Sequence, residues 1–288
     1  MWWTAIRPKT LPAAVVPVVV GGALAAHNGP VDWRVFICTL FTALLIQIAT
    51  NFANDVVDFE KGADTHDRVG PQRVTQAGLV TPSRMKLATG IVLSLALLNG
   101  FYLAFIGGWP IVVIGLLSLA FAIGYTAGPY PIAYLGLGEL FVLIFFGPVA
   151  VGGTFYLLTM TLTPAVATTG LAVGCLSAAI LVVNNLRDLS GDALVGKRTL
   201  AVRFGERFSR LEYSFFLTLA ATLPCAEALS GLGPRHGWFA AGFLLAAKPA
   251  ATLVATAHGA ALNPALGYTA RLLVIFGLLY LAGVIVSP

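Results

Sequence analysis

The chain has 288 residues, of which 58% are hydrophobic and 10% charged, and its formal net charge is +5. A soluble globular domain carries about 25% charged residues, so this composition excludes a soluble fold and indicates a polytopic membrane protein. The positive balance comes from loop Lys and Arg of the kind that orient membrane spans, and nucleic acid is not an expected partner.

A spanning helix needs about 20 mostly apolar residues. Stretches of that kind fall at about 11–27, 34–54, 84–106, 109–127, 136–158, 166–186, 208–229, 238–257 and 268–287. These stretches predict an all-α fold with nine transmembrane helices. The count drops to eight if one of the last four, which Gly and Pro interrupt, is not a span. No linker divides the chain, so residues 1–288 are read as a single domain.

Arg7 and Lys9 precede the first span in Arg-Pro-Lys-Thr-Leu-Pro, which lacks a cleavable signal pattern. The second span ends in an acidic cluster, Asn51, Asn54, Asp55, Asp58 and Glu60, with Asp64 and Asp67 following. The longest polar loop, about 59 to 83, adds Lys61, Arg68, Arg73 and Gln76. Between spans four and five, Tyr125, Tyr130, Tyr134 and Glu139 cluster around a Gly-Pro-Tyr-Pro turn. The sixth span ends in Asn184, Asn185, Arg187, Asp188 and Asp192, followed by Lys197 and Arg198.

Nine spans put Arg7, Lys9, Lys61, Arg68, Arg73, Arg84, Lys86, Arg187, Lys197, Arg198, Arg203, Arg207, Arg210 and Arg271 on one side. Arg34 and Arg235 fall on the other, and the rich side is expected to be cytoplasmic. Trp2, Trp3, Trp33, Trp109 and Trp238 all sit at span ends, where indole prefers the headgroup region. Cys38, Cys175 and Cys225 have unrelated spacings, and neither they nor the four histidines form a metal-ligand pattern.

Carboxylates within apolar segments are costly and mark functional sites. Asp55 and Asp58 are three residues apart and Asp188 and Asp192 four apart, so each pair shares a helix face. Mg²⁺ takes one or two carboxylates and completes its shell with water and substrate phosphate. Two acidic pairs therefore suit divalent ions, two of them, bridging a diphosphate. The expected metal set is Asn54, Asp55, Asp58, Asp64, Asn184, Asp188 and Asp192. Diphosphate contacts are expected from Asn51, Lys61, Arg68, Arg73, Lys197 and Arg198, since Arg and Lys form strong bonds to phosphate. Asp55, Asp58, Asp188, Asp192 and Lys197 are the expected catalytic set. Glu60 and Asp67 read equally well as solvated loop acids. Asparagines at helix ends are also common caps.

These motifs resemble the UbiA superfamily of intramembrane aromatic prenyltransferases, through N-D-x-x-D at Asn54–Asp58 and D-x-x-x-D at Asp188–Asp192. Five further stretches are similar to the branch that prenylates 1,4-dihydroxy-2-naphthoate in menaquinone synthesis. They are Arg7 to Ala13, Asn54 to Asp64, Arg68 to Gly78, Gly128 to Glu139 and Asn184 to Asp188. Gln72-Arg73 departs from it, where a second basic residue would be expected. The resemblance implies Mg²⁺-dependent transfer from an allylic polyprenyl diphosphate to the naphthoate, with loss of CO₂ and diphosphate. It further implies nine helices around a central cavity with cytoplasmic cap loops, in an enzyme of the bacterial inner membrane with its site on the cytoplasmic side. Arg7, Tyr125, Tyr130 and Asn185 are the candidates for the aromatic acceptor. Two alternatives are a prenyltransferase for 4-hydroxybenzoate, homogentisate or a tetrapyrrole, and a cation-coupled secondary transporter.

Overall fold

The computed structural model of the chain describes residues 1–62, 69–128 and 130–287. Among them there is helix and no strand. In chain order the α-helices are α1 (Trp2–Ile6), α2 (Pro12–Asn28), α3 (Trp33–Glu60), α4 (Pro82–Gly107), α5 (Trp109–Gly124) and α6 (Gly138–Ile144). They continue as α7 (Ala150–Thr159), α8 (Pro164–Leu194), α9 (Leu200–Ser230), α10 (Lys248–Thr256) and α11 (Asn263–Val286).

Every apolar stretch expected to span falls on a helix or a bent helical pair, but nine spans are not borne out. Five helical segments are long and apolar enough to cross a membrane, and two bent pairs raise the number to seven. α5 has only 16 residues, and α9 opens with Arg203, Glu206, Arg207, Arg210 and Glu212. The first bent pair joins Trp2–Thr10, where Arg7 ends α1 with a φ of 55°, to α2 at an angle of 50°. The second joins a 3₁₀ segment, Gly237–Ala246, to α10 at 53°, within the stretch 238–257 read as one span.

Local chemistry explains the helix ends. Asp32 caps α3, its carboxylate accepting from the N–H groups of Arg34 and Val35 at 2.9 and 3.3 Å. Thr81 and Thr199 cap α4 and α9 in the same way. Proline lies in the first turn of α2, α4, α5, α8, α10 and α11, where a missing N–H leaves no intrahelical bond unmade. All five tryptophans are exposed, as interfacial anchors should be.

One close approach sets the position of α6. Gly147, with non-helical φ/ψ, and Pro148 lie in a widened turn between α6 and α7 that packs on Gly170 and Gly174 of α8. A Cβ on Gly147 would lie 2.6 Å from the Gly170 carbonyl oxygen. Small residues four apart on α8 allow this backbone approach, and α6 is thereby laid against the end of α8 that bears the second acidic motif.

The connections α3–α4, α5–α6, α8–α9 and α10–α11 meet at one end of the bundle. Lys61 Nζ donates to the Thr126 carbonyl at 2.7 Å, and the Arg203 guanidinium donates to the Leu135 and Arg198 carbonyls at 2.8 and 3.0 Å. Asn263 donates to the Val69 carbonyl at 3.1 Å. Arg203 thus clamps two loops together.

Candidate active site

The apolar part of α3 ends near Asn54, but the helix continues to Glu60; likewise α8 runs on to Leu194. The four motif aspartates therefore ride on rigid helix extensions beyond the apolar segments. Asp55 and Asp58 are 1% and 3% exposed.

The two motifs converge on one cation. Lys197 Nζ lies 3.7 Å from Asp58 Oδ1 and 3.7 Å from Asp192 Oδ1. The other Asp58 oxygen accepts from Arg73 at 3.1 Å. Asp58 Oδ1 is buried and has no hydrogen-bond partner among the described residues, and it lies 3.7 Å from the Lys197 ammonium. The turn after Asp192 fixes this lysine, whose backbone N–H donates to the Asp192 carbonyl at 2.9 Å. Tyr134 supplies an aromatic platform, with Lys61 Nζ 4.7 Å and Lys197 Nζ 5.4 Å from its ring centroid.

The other two aspartates have different surroundings. Asp55 accepts from the backbone N–H groups of Thr75 at 3.0 Å and Val74 at 3.3 Å, fastening the loop that carries Arg73. Asp188 is held by its neighbour: Arg187 donates to both carboxylate oxygens, at 2.7 and 2.5 Å. The same buried guanidinium reaches Asn184 at 2.8 Å and Asn263 at 3.3 Å. Sequence reasoning treated Arg187 as a topogenic charge; the signal it missed was an Arg one residue before an aspartate and three after an asparagine.

The asparagines also divide. Asn51 donates to the Ile6 carbonyl and the Thr10 hydroxyl at 2.8 and 3.0 Å, which ties α3 to the N-terminal segment. Arg7 reaches the Asn51 carbonyl at 3.5 Å. Asn54 accepts from the Thr126 hydroxyl. Asn185 donates to Glu139 Oε1 at 2.7 Å. Tyr130 and Arg198 are exposed. Asp64 and Arg68 lie outside the described residues.

Below the polar centre runs an apolar cavity of about 350 Å³. Asn54, Tyr125 and Ile132 line its polar end, and Thr39, Ile111 and Leu157 its far end. From Asn54 back to Thr39, α3 rises roughly 22 Å at 1.5 Å per residue, a large part of the hydrocarbon depth of about 30 Å. The cavity thus runs from a polar mouth into an apolar depth.

Among the described residues no three His, Cys, Asp or Glu side chains form a ready metal cage. The donor set still fits a hard divalent cation, because Asp58 and Asp192 both aim an oxygen at the same ammonium and one of those oxygens is otherwise unpartnered. Mg²⁺ needs only one or two carboxylates when phosphate and water complete its shell.

The family model for "UbiA prenyltransferase family" matches residues 14–265. A curated Escherichia coli relative named 1,4-dihydroxy-2-naphthoate octaprenyltransferase is 39% identical, covering 99% of this chain and 95% of its own. A Haemophilus influenzae protein of the same name is 34% identical over 100% of this chain and 96% of its own. Among solved structures, a UbiA homolog from Aeropyrum pernix aligns with a TM-score of 0.70 at 16% identity, covering 99% of this chain and 98% of that one. A UbiA homolog from Archaeoglobus fulgidus bound to DMAPP and Mg²⁺ aligns with a TM-score of 0.62 at 15% identity, covering 99% of both chains.

Proposed function

The chain belongs to the UbiA prenyltransferase family, and from that membership we propose that it transfers a prenyl group from an allylic polyprenyl diphosphate to 1,4-dihydroxy-2-naphthoate. Diphosphate and CO₂ leave, and the product is demethylmenaquinol, a precursor of menaquinone. The names carried by near-full-length relatives support the acceptor. In the geometry, the observation that carries the reading is the meeting of Asp58 and Asp192 at Lys197, beside a cavity suited to an apolar tail.

Each residue's part follows from its position. Lys197, Lys61 and Arg73 place positive charge where the diphosphate would sit, and such charge-assisted contacts strengthen as the leaving group gains charge. Asp58 and Asp192, with Asp55, Asp188, Asn54 and Asn184 around them, are the proposed holders of Mg²⁺, two ions in number. When bound, Mg²⁺ supplies neutralisation of the charge that develops on the leaving diphosphate. Asp64 and Arg68 extend the same proposal beyond the described residues. Arg7, Tyr125 and Asn185 are proposed to face the acceptor, whereas exposed Tyr130 has less support. The cavity walls keep water from the allylic carbon, which water would otherwise capture.

The site is proposed to open to the cytoplasm at the inner membrane, with residues 1–288 acting as one domain in the bilayer. Purified protein given the naphthoate, a prenyl diphosphate and Mg²⁺ tests the reading, with product identified by mass. Parallel reactions with 4-hydroxybenzoate and homogentisate test the choice of acceptor.

A further inference from the structure

Glu139 is a buried acid that the diphosphate chemistry does not use. Its side chain is 3% exposed at the start of α6, with one oxygen accepting from Asn185 at 2.7 Å. The other oxygen, Oε2, is buried without a hydrogen-bond partner, and no Lys or Arg pairs with this carboxyl among the described residues. An unpaired buried acid is costly. Beside it stands Tyr125, which lines the polar end of the cavity and whose hydroxyl packs over Gly138, the residue before Glu139. Glu139, Asp192 and Asp58 are the acids near Tyr125. Glu212 of α9 also feels Glu139.

We propose that Glu139 and Tyr125 hold the acceptor's proton between prenylation and decarboxylation. This rests on the reaction proposed above and deepens it. The ring π pair at the carboxylate-bearing carbon forms the new C–C bond to the prenyl carbon, while the prenyl C–O bond breaks and its pair leaves with diphosphate. The neighbouring ring hydroxyl becomes a carbonyl by passing its proton to the Tyr125 oxygen as Tyr125 passes its own to Glu139. The bond to the carboxylate then breaks, CO₂ leaves, and the returned pair makes an enolate. That enolate recovers the proton from Glu139 through Tyr125.

The balance explains why the group is sealed from solvent. A carboxylate and a diphosphate ester become CO₂ and free diphosphate, so the whole reaction neither consumes nor releases a proton. The base must lend a site and give the same proton back. A buried carboxyl held on one oxygen by Asn185, with the other oxygen open, meets that need. The motif aspartates are committed elsewhere, to Lys197, Arg73, Arg187 and the Val74–Thr75 backbone.

The test is single-turnover prenylation with 1,4-dihydroxy-2-naphthoate, geranyl diphosphate and Mg²⁺, comparing wild type with E139Q and, as a second variant, Y125F. Gln keeps an oxygen for Asn185 while removing the base. Both variants should bind geranyl diphosphate within about twofold of wild type and transfer it roughly 10²-fold more slowly at neutral pH. Raising the pH ionises the acceptor's own hydroxyl, so variant rates should climb by about tenfold per pH unit toward a nearly flat wild type. Variant rates equal to wild type, or slow rates that pH does not restore, overturn the assignment. A wild-type protein that leaves the naphthoate unprenylated overturns the parent reaction instead, and the two failures are therefore distinguishable.

Discussion

Asp58 and Asp192, from acidic motifs on different helices, share one cation: Lys197 Nζ stands 3.7 Å from an oxygen of each. All three side chains are largely buried, at 4%, 12% and 16% exposure. Like charges this close repel unless a cation lies between them. The lysine therefore holds the two motifs in register and leaves their carboxylates facing the place where a diphosphate and its divalent cation would meet.

Replacing Lys197 with Ala should slow the chemical step about ten- to hundredfold, the worth of a charge-assisted contact of about 1.5–3 kcal/mol. The Km for the naphthoate should change far less. Single-turnover rates at saturating and subsaturating acceptor separate the two effects. Arg207 is exposed, and Arg207→Ala should match wild type; equal losses at both positions would reduce Lys197 to general surface charge.

Asp55 and Asp58 should fail for different reasons. Asp55→Ala strips the Val74 and Thr75 N–H groups of their acceptor in a buried setting, at a cost on the order of 2 kcal/mol, and should lower the thermal midpoint as well as activity. Asp58→Asn should lose activity with little change in midpoint. Thermal unfolding in detergent beside turnover in Mg²⁺ checks both, and the reverse ordering of midpoints would show that the loop contact does not matter.

The parts of the site visible in the sequence are those that repeat along one helix. Asp55 with Asp58, and Asp188 with Asp192, follow from spacing alone, and the apolar stretches locate their helices because a bilayer demands them. What lay hidden depends on contacts between helices. That Asp58 meets Lys197, and that Asn51 ties down Ile6 and Thr10, leave no mark in spacing. Membrane helices are apolar on nearly every side, so hydrophobic periodicity says little about which face turns inward. The bends between Thr10 and Pro12 and between the 3₁₀ segment and α10 are unreadable for the same reason.

Gly147→Ala tests how α6 is positioned. The added Cβ would lie 2.6 Å from the Gly170 carbonyl oxygen and 2.9 Å from the Gly174 Cα, both backbone atoms that yield little. Overpacking of this kind costs about 1–3 kcal/mol. The thermal midpoint should fall, and the activity with it as α6 shifts from Asn185; an unchanged midpoint would mean that the widened turn has slack.

Orientation is open to direct test in a background lacking Cys38, Cys175 and Cys225. Ala193→Cys, in the exposed last turns of α8, should resist impermeant thiol reagents in intact cells and react in inverted vesicles. Thr161→Cys, in the exposed α7–α8 connection, should do the opposite. Labelling of both from the same side would break the alternation on which a cytoplasmic site rests.

The most direct measurement of the central claim is product formation by purified protein given 1,4-dihydroxy-2-naphthoate, an allylic polyprenyl diphosphate and Mg²⁺, with CO₂ and diphosphate quantified together. Demethylmenaquinol, CO₂ and diphosphate should form in equal amounts, with turnover abolished by EDTA and restored by added Mg²⁺. Full turnover in EDTA, or diphosphate released with no prenylated naphthoate, would contradict it.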